Sequence, residues 1–256
     1  MHQDILQKNL SVLEKFQPKV FYLYKKFAEH VGFCEKTYAV MPARETGFSI
    51  VDVKSNLPLS SKYSSVKEAQ KCLSKVSQQN CEMLILIGMG CGSTVREALK
   101  VFNGSIAVIE PDWDLFHAQI SRADISDCLS DKRITFFVDD NPYELMLSLR
   151  CLIFNSNTFI LQTAILPGYK NVFREFSENM ERELTAAQET LIEDKQRFFC
   201  EMRELEKKFN EDADKTDFFS WLIKQELSGR ISELGYSFLV FSGFVNACFR
   251  EEKMGG

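Results

Sequence analysis

The apolar positions of this chain change period several times. Over residues 4–32, Ile5, Leu6, Leu10, Leu13 and Phe16 recur at helical spacing, and Pro18 breaks the run before it resumes. Residues 36–41 and 47–53 are short runs with β-branched and aromatic content, joined by a stretch that suits a hairpin. A helix over 66–76 follows a serine-rich loop, with Ser64 or Ser65 as N-cap and Glu68 placed to complete a capping box. Residues 83–87 are wholly apolar, the pattern of a strand buried on both faces. Val95, Ala98, Leu99 and Phe102 then share one helical face, which Ser93 or Thr94 can cap and Asn103-Gly104 ends. A second buried strand follows over 105–109. Helical pieces over 112–122 and 124–129 lead to a third strand over 133–138. Pro142 opens a helix to about 149, and a fourth strand is expected over 157–161 before Leu166-Pro167-Gly168 closes the unit. Strands alternating with helices predict an α/β fold, a parallel sheet with helices on both faces and right-handed crossovers.

Beyond residue 168 the pattern changes again. Phe173, Phe176, Met180, Leu184, Ala187, Leu191, Phe198, Met202, Leu205 and Phe209 form a seam at three- and four-residue steps, interrupted at Asp194. Such a heptad-like seam predicts a long helix against a partner helix, from this chain or a second copy. A further helix over 216–234 and an apolar stretch over 234–249 follow. The latter is short for a membrane span and contains Gly243 and Asn246, so a buried helix is the expectation. Three regions result: a helix-and-hairpin region over 1–57, a Rossmann-like α/β domain over 58–168, and a helical extension over 169–256 suited to oligomerisation or interdomain packing.

The chemistry concentrates after the first buried strand. Gly88, Gly90 and Gly92 are spaced G-x-G-x-G, and a helix and a second strand then deliver Glu110. Glycines allow close backbone approach to a ligand, and the helix N-terminus offers unpaired N–H groups to an anion. An acid about twenty residues on can accept hydrogen bonds from ribose hydroxyls, the arrangement of a Rossmann-type half. Ser93 stands where a third fingerprint glycine would be. Asp112 follows Glu110, and Asp139 and Asp140 end the third strand, so topology gathers these residues at one sheet edge. The loop carrying Ser61, Lys62 and Tyr63 offers hydroxyls and a cation to an anionic ligand. The bland alternatives are a glycine turn that only lets a helix cross tightly, and a solvated serine-rich loop.

Composition narrows the field. The chain has 256 residues, 45% hydrophobic, and a formal charge of −5, which disfavours a nucleic-acid surface. Its eight cysteines are scattered with no C-x-x-C, reading as reduced apolar residues of a cytosolic protein. His2, His30 and His117 are too far apart in sequence for a metal-site spacing. The polar N-terminus is unlike a signal peptide. A cytoplasmic protein without a membrane span is the expectation.

In order, PLSSKYSSVKEAQ, LILIGMGCG, IAVIEPDWDLF and LSDKRITFFVDD resemble the N-terminal domain of the motility-associated-factor (Maf) flagellin glycosyltransferases. Ser61, Lys62, Tyr63, Glu68 and Ala69 fit the first motif, and Gly88, Gly90 and Gly92 the second. Glu110, Pro111 and Asp112 fit the third, and Asp131, Arg133, Asp139 and Asp140 the fourth. The resemblance spans about residues 57–168. It implies transfer of nonulosonic acids from a cytidine-monophosphate donor to flagellin Ser or Thr, with the transferase machinery in a following domain. Here that domain has no counterpart, so an accessory or nucleotide- or partner-binding role is implied. A cytidine or sugar nucleotide is the favoured ligand, and flagellin or another acceptor protein the partner.

Two other classes compete. An S-adenosylmethionine-dependent methyltransferase would use the same glycines, Glu110 and Asp139, but Leu86 replaces the acid that usually holds the cofactor's methionine end; this cofactor therefore ranks second. A non-catalytic interaction module would rest on the long seam, which also predicts a homo-oligomer. No Ser, His and Asp grouping for nucleophilic catalysis is visible.

Overall fold

The computed structural model describes residues 2–76, 81–139, 141–155, 160–211 and 221. Two helices open the chain, α1 (His2–Phe16) and α2 (Pro18–His30). Gln17 separates them with non-helical dihedrals, and Pro18 sits at the start of α2, where its missing N–H costs nothing. Strands β1 (Tyr38–Pro42) and β2 (Phe48–Asp52) form an antiparallel hairpin with Tyr38 opposite Asp52.

The α/β core follows: α3 (Ser65–Leu73), β3 (Met83–Ile87), a 3₁₀ turn (Gly90–Gly92), α4 (Ser93–Val101), β4 (Ser105–Glu110), α5 (Trp113–Arg122), α6 (Ser126–Ser130), β5 (Ile134–Val138), α7 (Pro142–Asn155) and β6 (Leu161–Ile165). The four strands β3 to β6 are parallel, in the order β5-β4-β3-β6. The chain steps outward from β3 to β4 and β5, then returns to the other side of β3. The strand order therefore reverses beside β3, where open α/β sheets place their ligands. All five residues of β3 are fully buried, as their unbroken apolar run requires. Each buried Leu, Ile or Met there contributes roughly 1.5–3 kcal/mol relative to exposure.

The N-terminal region is clasped onto this core by one polar residue. Asn9, fully buried on α1, donates its amide to Ile120 O (2.7 Å) and Ala123 O (2.8 Å) and accepts from the Ile125 amide (3.1 Å). It satisfies the backbone of the α5–α6 turn, so its burial carries no unpaired-group penalty.

The fourth strand departs from the sequence expectation. It runs over Leu161–Ile165 rather than 157–161, and residues 156–159 lie outside the described residues. Pairing with β3 explains the offset. Ile87 sits beside Ile165, the Leu166 amide donates to Ile87 O (3.1 Å), and Ala164 and Ile165 are the buried members. Phe173 interrupts the long helix, dividing it into α8 (Pro167–Val172) and the 38-residue α9 (Arg174–Glu211). Of the predicted seam, Phe176, Met180, Leu184 and Ala187 are buried and Phe173 is half-buried. The side chains of Leu191, Phe198, Met202 and Leu205 lie outside the described residues, as do the expected helix over 216–234, apart from Trp221, and the apolar stretch over 234–249. Trp221 meets Phe209 edge-on at 5.6 Å between ring centroids.

The chain divides into two compact units, Met1–Leu149 with Thr158–Ala186, and Arg150–Asn157 with Ala187–Gly256. The hairpin and the parallel sheet both belong to the first. Among the described residues no helix is long and apolar enough to cross a membrane.

Candidate functional site

The register of the sheet places the glycine turn, Glu110 and Asp139 at one carboxyl edge. Gly88 N donates to Ile109 O (2.9 Å), and Asp139 N donates to Glu110 O (3.1 Å). The turn is built from left-handed backbone: Gly88, Gly90, Cys91 and Gly92 all have positive φ, between 52° and 98°. Five amides of the turn and the start of α4, those of Met89, Cys91, Gly92, Ser93 and Thr94, already have partners inside the protein. Met89 N donates to Glu110 Oε1, and Cys91 N donates to Gln119 Oε1 at 2.7 Å. Gly92 N and Thr94 N donate to Met89 O (3.0 and 3.3 Å), and Ser93 N donates to Gly90 O.

A side chain that the sequence reading did not single out fills the space above the turn. Tyr169, the third residue of α8, is fully buried and lays its ring over Gly88, where a Cβ would meet ring carbons at 2.7–2.9 Å. Its hydroxyl donates to Glu110 Oε2 at 2.9 Å, with Oε1 at 3.1 Å. Glu110 is itself fully buried, and burial pushes its carboxyl up to about 8, against the pull of the Met89 amide and the Tyr169 hydroxyl. Near neutral pH most of this acid is protonated and neutral. The same burial, with Glu110 beside it, raises the Tyr169 phenol far above its ordinary range, so it stays a donor. The Gln119 amide nitrogen has no well-aligned partner among the described residues and leans its positive end toward Glu110. Only the position of Tyr169 in sequence hinted at this: it directly follows the Pro-Gly that ends the fourth strand.

The remaining candidates do not join this cluster. Ser93 does not cap α4. Gly92 occupies the cap position in left-handed conformation, while Ser93 Oγ pairs with Ser65 Oγ at 2.8 Å. Thr94 Oγ1 is buried without a hydrogen-bond partner among the described residues. Asp112 caps α5 through the Leu115 amide (2.8 Å) and accepts from the Tyr38 hydroxyl (3.1 Å), tying the hairpin to the sheet. The Asp139 carboxylate accepts from the Asn141 amide (2.9 Å) at the start of α7. Asp140 lies outside the described residues.

The serine-rich loop leads into α3 on the same unit. Ser64 caps α3 by accepting from the Lys67 amide (3.2 Å). The expected capping box is not made. Glu68 instead accepts from the Ser61 amide (2.7 Å), and Ser65 N donates to Thr46 O. Ser61 Oγ accepts from the amides of Tyr63 and Ser64 (3.2 and 3.3 Å). Tyr63 is exposed with the Arg44 guanidinium 4.9 Å above its ring, and Lys62 is exposed. Ser61 and Tyr63 line a cleft alongside α3, but Lys62 does not. Among the described residues no group of three or more His, Cys, Asp and Glu side chains could hold a metal ion.

No protein-family model matches the chain, and no curated protein matches it. Among solved structures, a Maf glycosyltransferase from Magnetospirillum magneticum AMB-1 matches with a TM-score of 0.49 and 11% identity. The match covers 72% of this chain and 36% of that one, so it spans about a third of the solved protein.

Proposed function

We propose that this chain is a Maf-like accessory domain of a protein glycosyltransferase, acting on flagellin or another acceptor, with sugar transfer carried out by residues outside this chain. The order of the four sequence motifs supports the family reading. The non-catalytic role rests on one observation: the carboxyl-edge turn is closed by the protein's own groups. Tyr169 covers Gly88, Glu110 is bonded to Tyr169 and the Met89 amide, and the Cys91, Gly92 and Thr94 amides are taken. The glycines here serve the packing of strand, helix and phenol rather than the approach of a pyrophosphate. The methyltransferase alternative needs the same edge open, and it needs an acid where Leu86 is buried in the sheet.

Two measurements test this. Calorimetric titration with S-adenosylmethionine should give no saturable heat; tight binding would move the reading to a methyltransferase. The purified chain should transfer no nonulosonic acid from a cytidine-monophosphate donor to flagellin. Turnover by the chain alone would overturn the accessory role.

A further inference from the structure

A second concavity on the sheet-bearing unit has features that the glycine turn lacks. The cleft beside α3 has a volume of about 840 Å³, within the size range of small-molecule sites. One wall is the α3 face, and the other is β6 with the start of α8. Ala164, Ile165 and Pro167 give it an apolar floor, and Thr163 adds a hydroxyl group.

Its charge is opposite in sign to that of the chain. Four lysines line it against three glutamates, on a protein of formal charge −5. Lys67, Lys71 and Lys75 recur every four residues along and just beyond α3, which sets successive lysines about 6 Å apart on one line. The acids are already engaged. Lys67 pairs with Glu45 (2.7 Å) and Lys170 with Glu181 (2.6 Å). Both pairs are largely solvent-exposed, and such pairs are held weakly enough to exchange for a ligand anion. Glu68 turns toward the Ser61 amide, which donates to its carboxylate at 2.7 Å, and burial raises its carboxyl pKa. Lys71 and Lys75 make no ion pair with any described residue.

We propose that this cleft binds a small molecule bearing two or more oxyanion groups, phosphate or carboxylate, with Lys71 and Lys75 as the primary contacts and Lys67 and Lys170 as secondary ones. The apolar floor would take the uncharged body of the ligand. The proposal is independent of the glycosyltransferase reading.

Isothermal titration of the whole chain with inorganic pyrophosphate and with citrate tests it, with Lys71→Ala/Lys75→Ala as the variant and Lys132→Ala, at an exposed turn before β5, as the control. Saturable binding of at least one probe is expected, weakening as salt rises. The double variant should weaken it at least about tenfold, the scale of one lost charge-assisted hydrogen bond. Circular dichroism checks that the variants fold. Preference for pyrophosphate would mark a phosphorylated ligand, and preference for citrate a polycarboxylate. Absence of binding to both probes, an unchanged Kd in the double variant, or an equal loss in the control would each overturn the proposal.

Discussion

Glu110 is the residue whose chemistry departs furthest from what its position suggests. A carboxylate at the end of the second Rossmann strand is expected to face ribose hydroxyls, yet this one faces a phenol inside the protein. Its folded pKa, about 8, lies above the unfolded value near 4.5. The folded state therefore holds the proton more tightly, and the stabilisation is fully present below pH 4.5 and is lost as pH rises toward 8. The loss across that window is on the order of a few kcal/mol. Glu110→Gln keeps the shape and an acceptor for the Met89 amide but cannot ionise. Urea unfolding across pH 5 to 9 should show wild type losing stability relative to this variant as pH rises; parallel curves would mean that Glu110 titrates normally. Tyr169→Phe deletes the hydroxyl that serves this acid, and should cost about 1–3 kcal/mol for a buried group left without its partner. The acid was legible in the sequence because an apolar strand delivers it to a known edge. Its partner was not, because the contact joins residues 59 apart in sequence and no local pattern encodes which side chain returns to fill a crevice.

At the scale of elements, the glycine turn and the start of α8 lock together. Gly88 has φ +98°, and a Cβ there would press into the Tyr169 ring. Gly168 is packed tightly against the loop before α3, where an added Cβ would lie 2.4 Å from Leu59 O and 2.5 Å from Pro58 O. Gly88→Ala thus meets both backbone strain and the buried Tyr169 ring, each worth roughly 1–3 kcal/mol. A drop in thermal midpoint well beyond that of a surface Gly→Ala change is expected; a midpoint within a degree or two of wild type would mean that Tyr169 moves aside readily and the crevice can open. Strands β3 and β4 were readable because unbroken apolar runs mark them, and β5 because its run of β-branched and aromatic residues does. The strand β6 was misplaced because residues 158–165 contain two apolar clusters around Gln162 and Thr163, and only the register against β3 selects the second. The α4 cap was misread for a related reason. Serine is the ordinary N-cap, but the left-handed turn brings Gly92 to that position and frees Ser93 to bond Ser65 across to α3.

At the scale of the whole molecule, the long seam decides how the chain meets other chains. Helix α9, with 38 residues, is about 57 Å long at 1.5 Å per residue. The periodicity of the seam was legible, but its covering partner was not, because a heptad repeat specifies that a face is buried and not by what. Met180 and Leu184, expected at an interface between copies, are already buried within one chain. Any self-association through this helix must therefore use the later part of the seam, where Leu191 and Phe198 continue the repeat. Each large apolar side chain buried between two copies joined there would contribute roughly 1.5–3 kcal/mol. A charge placed in such a contact is desolvated without a partner and breaks it. Sedimentation velocity should find a dimer that Phe198→Glu converts to monomer, while Glu110→Gln leaves it intact. A wild-type chain that sediments as a monomer at high concentration would mean that the seam is closed within the single chain along its whole length.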